Sequence, residues 1–324
     1  MGYSDWSDAA YKHISTSRSH MDPSTVRSTV FSRGLKPSLD PKGVKVRESR
    51  DSTEHPESNA IGVFFDVTGS MGGIPVKFAT EKLGGLMNLL VSKGVIPHPQ
   101  LLFGAIGDGQ CGDSAPFQVG QFESGLEMDT CLTDIFVEGG GGGNNGESYG
   151  LAHYFFANHT SIDCFEKRGK KGYLFTIGDE CALKVTKAEV SRIFGDDVET
   201  DLSVTDLIRQ CEAKYEVFHI IVETSATRQQ NSTAQWKDFL GERAIVLTNP
   251  DDICEVIAST IGLVEGATMD AVTTILKDAG AKASTITSVS TALAPLSSSA
   301  VAKSGSGALT GTLDTDGDNG TVRL

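Results

Sequence analysis

Asp66, Thr68 and Ser70 occupy alternate positions in the stretch Asp66-Val67-Thr68-Gly69-Ser70. One carboxylate and two hydroxyls at this spacing, in a turn that contains glycine, can converge on one point. They supply hard oxygen ligands with little negative charge. Such a set suits Mg2+ or Mn2+, or else Ca2+, and leaves the ion electrophilic. The same residue types also cap ordinary strand-to-helix loops, so the flanking elements decide between a metal loop and a plain turn.

Three other patterns invite chemistry and support less of it. Gly107-x-Gly109-x-x-Gly112 matches the dinucleotide fingerprint in form. That fingerprint needs a helix to open at its end, with its N-terminus under the pyrophosphate. Here Asp113-Ser114-Ala115-Pro116 leads into another strand, and Asp108 and Asp113 would repel phosphate. Asp108 is expected instead to support the metal loop. Asp314-x-Asp316-x-Asp318 resembles the opening of a calcium hand, but Asn319 stands where that loop needs glycine. His153 and His159 lie six residues apart, so a helix would not bring them to one face. They read as packing or surface residues.

The elements that must position the loop are legible on both sides of it. Ile61-Gly62-Val63-Phe64-Phe65 directly precedes Asp66 and suits a strand buried on both faces. Beyond the loop, Val76, Ala79, Leu83, Leu86, Met87 and Leu90 recur at amphipathic spacing. This predicts a helix from about Pro75 to Ser92, with Gly94 as its stop. Further strands are predicted at 101–106, 117–122, 173–177, 217–222 and 244–247, and helices at 149–158, 186–194, 203–214, 233–240 and 252–263. Short apolar strands alternating with helices imply an α/β fold, a doubly wound and mostly parallel sheet with helices on both faces. Asp66 then lies at the carboxyl end of its strand, where such sheets bind ligands.

This domain is assigned to residues 59–265. The polar segment 1–58 reads as an extended arm, with Val30, Phe31, Leu35, Leu39, Val44 and Val46 available for docking. Residues 266–282 allow one more helix. Residues 283–324, rich in Ser, Gly, Ala and Thr, are expected to be disordered because they bury too little to offset their ordering entropy.

Over 324 residues the formal charge is −14, unevenly placed. Residues 61–282 carry 17 basic and 31 acidic side chains, while the two ends cancel. An acidic domain repels phosphate backbones, which argues against a nucleic-acid partner and for a cation. No stretch of 18 apolar residues is present, so no membrane span is expected, and the N-terminus shows no apolar signal region. Cysteines at 111, 131, 164, 181, 211 and 254 form no C-x-x-C pair; reduced thiols in a cytoplasmic protein are the expectation.

Phe64-Phe65-Asp66-Val67-Thr68-Gly69-Ser70-Met71-Gly72 resembles the opening strand and loop of von Willebrand factor A domains, of an intracellular bacterial or phage type. The family signature D-x-[ST]-x-S begins its metal-ion-dependent adhesion site. The similarity extends loosely over residues 60–265, because the order of strands and helices also matches. In that family a second loop adds a Thr, and a third adds an Asp just after a later strand. The resemblance points to residues 139–148, Gly-Gly-Gly-Gly-Gly-Asn-Asn-Gly-Glu-Ser, as the second loop, with Asn144 at the ligand position and the usual Thr missing. It points to Phe175-Thr176-Ile177-Gly178-Asp179-Glu180 as the third, with Asp179 as ligand, a residue or two from its usual place. The family implies an ion that keeps one position open for a partner's carboxylate. It also implies adaptors or scaffolds, some working beside AAA+ ATPases.

Three functions compete. The first and expected one is a metal-dependent protein-binding module without enzymatic turnover, in which glycines 139–143 let a partner's backbone approach closely. The second is a haloacid-dehalogenase-like phosphohydrolase with Asp66 as nucleophile. That chemistry needs an acid two residues on, where Thr68 transfers protons poorly. The third is a structural component that self-assembles through its termini and keeps only a vestigial metal site.

Overall fold

The computed structural model describes residues 4–19, 21, 23–141, 143–224 and 231–307. Its strands are β1 (Arg47–Ser49), β2 (Asn59–Asp66), β3 (Pro99–Ile106), β4 (Phe117–Val119), β5 (Thr160–Ile162), β6 (Gly172–Gly178), β7 (Tyr215–Val222) and β8 (Ala244–Leu247). Six of them form one sheet in the order β4-β3-β2-β6-β7-β8, parallel except for the edge strand β4. β1 and β5 pair apart from it.

β2 is apolar almost end to end because both its faces are covered. Ile61, Val63 and Phe65 enter one core, and Ala60 and Phe64 enter the other. Over the first face lie the helix Ile74–Ser92 and helices Ile253–Val264 and Met269–Asp278; over the second lie Gly150–Asn158, Lys187–Ile193, Val204–Glu212 and Ser232–Leu240. Gly62 faces the second layer. A Cβ there would stand 2.2 Å from the ring of Phe156, so the bare backbone lets helix Gly150–Asn158 close on the sheet. The helix after the loop spans Ile74–Ser92 but widens into π turns at Phe78–Lys82 and Asn88–Ser92, and Gly94 (φ 69°) ends it.

Both ends differ from the sequence reading. The N-terminal arm is not extended throughout, since it forms helices Asp8–Ser19 and Pro23–Thr29 before running irregularly to β1. It is docked: Tyr11, Val26, Phe31 and Leu39 are buried in the first core. Tyr11 lies on Gly84, where a Cβ would come within 2.7 Å of its ring, and Arg18 grips Asp129 in two hydrogen bonds of 2.7 and 2.8 Å. Such serine-rich helices owe their stability to the docked face and not to propensity, which is why periodicity misses them. The expected disorder is corrected over residues 283–307, which form a helix. Helix Ala283–Gly307 buries Val289, Leu293 and Leu296, few bulky residues but all on one face. Residues 308–324, with the Asp314–Asp318 pattern, lie outside the described residues. Among the described residues no helix is long and apolar enough to cross a membrane.

Candidate metal centre

Asp66 is the last residue of β2 and is fully buried. Its Oδ1 accepts from the Thr68 backbone N–H at 2.8 Å and from the Thr68 hydroxyl at 2.6 Å, which folds the loop back on the strand end. Thr68 Oγ1 stands 3.3 Å from Ser70 Oγ, and Ser70 Oγ donates to Asp179 Oδ1 at 2.8 Å. Four of the five residues named from sequence therefore form one connected oxygen chain. Oxygens that ligate one octahedral Mg2+ at about 2.1 Å stand about 3 Å apart, so the spacing of these hydroxyls and this carboxylate fits a small hard ion. Burial pushes the Asp66 carboxyl well above the usual range, against the pull of Thr68 and Tyr149, and the Asp179 charge adds to the rise.

Asn144 is the exception. Its side-chain oxygen is buried without a partner, and among the described residues no hydrogen bond joins it to Asp66, Thr68, Ser70 or Asp179. What the second loop brings to the first is backbone and Glu147. Gly69 N–H donates to Gly140 O at 2.9 Å, and Gly139 N–H donates to Val67 O at 3.1 Å. Gly141 (φ 83°) has no room for a side chain: its Cβ would lie 2.9 Å from Glu147 Oε1 and 3.1 Å from Thr68 Cβ. Glu147 is 1% exposed, with Oε2 unpartnered. Burial holds its carboxyl far above the carboxylate range, and the charges of Asp66, Glu180, Asp108 and Asp113 hold it there.

The third loop leaves β6 at Gly178. Asp179 Oδ2 accepts from the Thr224 hydroxyl, and Asp179 O accepts from Ser232 Oγ at 2.9 Å. Trp236 Nε1 donates to Glu180 O at 3.0 Å, so helix Ser232–Leu240 fixes the loop. Tyr149 and Thr224 were not read as site residues. The Tyr149 hydroxyl donates to Asp66 Oδ2 at 2.7 Å through the space that Gly178 leaves, where a Cβ would stand 1.8 Å from the hydroxyl oxygen of Tyr149. The available signal was a glycine before Asp179 and an aromatic residue just ahead of the helix.

The other patterns resolve as packing or turns. No helix follows Gly112; Asp108 Oδ1 instead accepts from Gln110 N and Cys111 N at 2.8 and 3.0 Å. Asp113 ties that turn to the glycine loop by accepting from Asp108 N at 2.8 Å and Gly141 N at 3.0 Å. His153 is buried, and His159 pairs with Asp196 at 2.7 Å.

No family model matches the sequence, and no curated protein matches it. Among solved structures the chain is similar to the pilus adhesin SpaC from Lactobacillus rhamnosus GG in its open conformation, at 9% identity and a TM-score of 0.42 over 67% of this chain and 31% of that one. It is also similar to proximal thread matrix protein 1 from the mussel byssus, at 10% identity and a TM-score of 0.38 over 68% of this chain and 48% of that one. A second structure of that protein, described as having a zinc-occupied MIDAS motif, gives 9% identity and a TM-score of 0.37 over 65% and 48%. The chain thus spans less than half the length of these proteins.

Proposed function

We propose that this chain is a metal-dependent protein-binding module of the von Willebrand factor A type. The ion is held by Asp66, Thr68, Ser70 and Asp179, and its open position is completed by an acidic side chain of a partner protein. The observation that carries this reading is the Thr68–Ser70–Asp179 oxygen chain at the carboxyl end of the central strand. When bound, the ion supplies a Lewis-acidic anchor for that carboxylate. The mouth of the site favours a protein ligand, because Gly69, Ser70, Gly72, Gly73, Gly139, Gly141 and Gly143 are exposed and offer bare backbone around the hydroxyl.

Binding without turnover is supported by Thr68. It stands two residues after Asp66, where a phosphohydrolase needs a carboxylic acid, and its hydroxyl donates to Asp66 Oδ1 at 2.6 Å. A cytoplasmic setting is supported by six free cysteines, three of them buried.

Melting curves in EDTA and in millimolar Mg2+ or Mn2+ test the site. An ion at one hundred times its dissociation constant adds about 2.7 kcal/mol, and Asp66→Ala and Ser70→Ala should each abolish the shift. Coincident curves for the unaltered protein would refute the metal reading. Metal-dependent release of phosphate from an aryl phosphate, lost in Asp66→Asn, would favour the phosphohydrolase instead.

A further inference from the structure

One wall at the mouth of the metal centre belongs to the N-terminal arm. Helix Pro23–Thr29 packs beside the start of helix Ile74–Ser92 and, on its other side, beside the glycine loop. There the Arg27 guanidinium fills the place where a Cβ on Gly139 (φ 69°) would stand, and its Nη2 donates to Val137 O at 2.8 Å. Gly139 O in turn lies 3.4 Å from the position of a Cβ on Gly69, the residue before Ser70. A cation is thus held at the edge of the hydroxyl loop. Arg27 is exposed, and among the described residues no ion pair reaches it. Arg18, on the same arm, differs because Asp129 already holds it.

On the side of helix Ile74–Ser92 the arm encloses a cavity of about 520 Å3. Met21 and Val26 of the arm, Ile74 and Val76 of the domain, and Gly73 line it. Gly73 follows Ser70 by three residues, at most about 10 Å of chain, so the cavity is continuous with the metal loop. Gly72 and Gly73 are exposed and place no side chain between the two. Met21 is 42% exposed, one of four large apolar side chains so placed among the described residues. Its unbranched thioether can adapt to a side chain laid against it. Of the charged groups at the cavity, Lys77 pairs with Asp251 at 2.5 Å and Arg18 with Asp129 at 2.7 Å, which leaves Glu81 unpaired among the described residues. A second acid is therefore welcome at Arg27 and repelled from the cavity.

We infer that the partner presents an extended acidic segment read at three points: one carboxylate on the ion, a second on Arg27, and a large apolar side chain in the cavity between arm and domain. This rests on the metal-dependent reading above and adds its specificity. Extended residues advance about 3.3 Å each, so an apolar side chain two or three positions from the metal-bound acid spans the step from Ser70 to Gly73. The chain as a whole carries −14. It therefore repels an acidic segment except where the ion and Arg27 reverse the sign, which confines the segment to one place. The arm is part of the binding surface as well as of the core.

A random dodecapeptide library displayed on phage, panned on the full chain in Mg2+ and eluted with EDTA, tests this. Eluted sequences should carry two acidic residues and a large apolar one. The tightest of them, made as a synthetic peptide, should bind Arg27→Glu and Met21→Glu each roughly tenfold more weakly than the parent. Both side chains are exposed, and a retained Mg2+-dependent melting shift in each variant shows that fold and ion site are intact. Peptides that bind both variants as tightly as the parent would overturn this surface and leave the metal-dependent module standing. If EDTA releases no peptide, both readings fail.

Discussion

Around β1 and β5, Asp51, Asp163 and Glu166 share Arg50, Lys167 and Arg168, with contacts of 2.6–2.9 Å from Lys167 and Arg50 to Asp163, from Arg50 to Glu166 and from Arg168 to Asp51. Around the ends of β2 and β3, Asp66, Asp108, Asp113 and Glu147 form no ion pair among the described residues. The consequences run in opposite directions. Burial alone would raise Asp51 and Asp163, but hydrogen bonds from Arg168 and Ser58 to the first, and from Lys167, the Asp51 amide and Arg50 to the second, hold both below the usual range. Burial raises Asp66, Asp113 and Glu147, and neighbouring carboxylates raise them further. Where the chain supplies its own cations, its carboxylates are settled on folding. Where it supplies none, the charge balance is left to something outside the chain.

The sharpest way to break this comparison is to make one chemical change in both clusters. Asp163→Asn strips the shared partner from Arg50 and Lys167 at a position 2% exposed; the two cations keep Glu48, Glu166 and Asp51, so the loss in denaturant unfolding should be about 2 kcal/mol. A loss below about 1 kcal/mol would mean that the cations, not the carboxylate, organise that cluster.

A buried base extends the same logic. Burial pushes His153 down to about 4, offset only in part by the Tyr149 backbone. Between pH 4 and about 6.5 the unfolded chain binds a proton that the native chain refuses, so stability falls as pH falls through that window. A shift of this size corresponds to about 3 kcal/mol, fully lost below pH 4. The neighbouring His219 titrates with the same sign, and Asp66 and Glu147 with the opposite one, so the readout is the difference between the parent and His153→Leu. A difference flat from pH 6.5 to 4 would show that His153 is not held neutral.

The smallest effect belongs to Glu147→Gln in EDTA. A carboxyl already held protonated loses little by becoming an amide, so the cost should stay under about 1 kcal/mol. The contrast with Asp163→Asn is the point. Equal losses at both sites would erase the distinction between self-balanced and externally balanced carboxylates.

Much of the fold was legible because long apolar runs such as 61–65 and 101–106 declare buried parallel strands, and Val76 through Leu90 declare a helix. The first metal loop was legible because three ligand types sit within five residues. The second loop was not. Its glycines take positive φ at 139, 141 and 143, so the path to Glu147 depends on backbone turns that no side-chain pattern encodes. Residue spacing led to Asn144, whereas the contacts with Gly141 and Thr68 come from Glu147. The terminal helices were hidden because three or four buried residues on one face suffice once a partner surface exists, and composition averages them away.

Residues outside the central domain also guard its sheet. Leu39 O accepts from Val119 N at 2.9 Å, closing the outer side of β4, and Thr291, Ala292 and Pro295 of the C-terminal helix line a groove with Ala244 and Val246 of β8. Strand edges left bare are templates for pairing with other chains. Cut back to residues 59–265, the protein should keep its strand order and lose colloidal stability. It would then associate edge to edge at concentrations where the full chain stays dispersed.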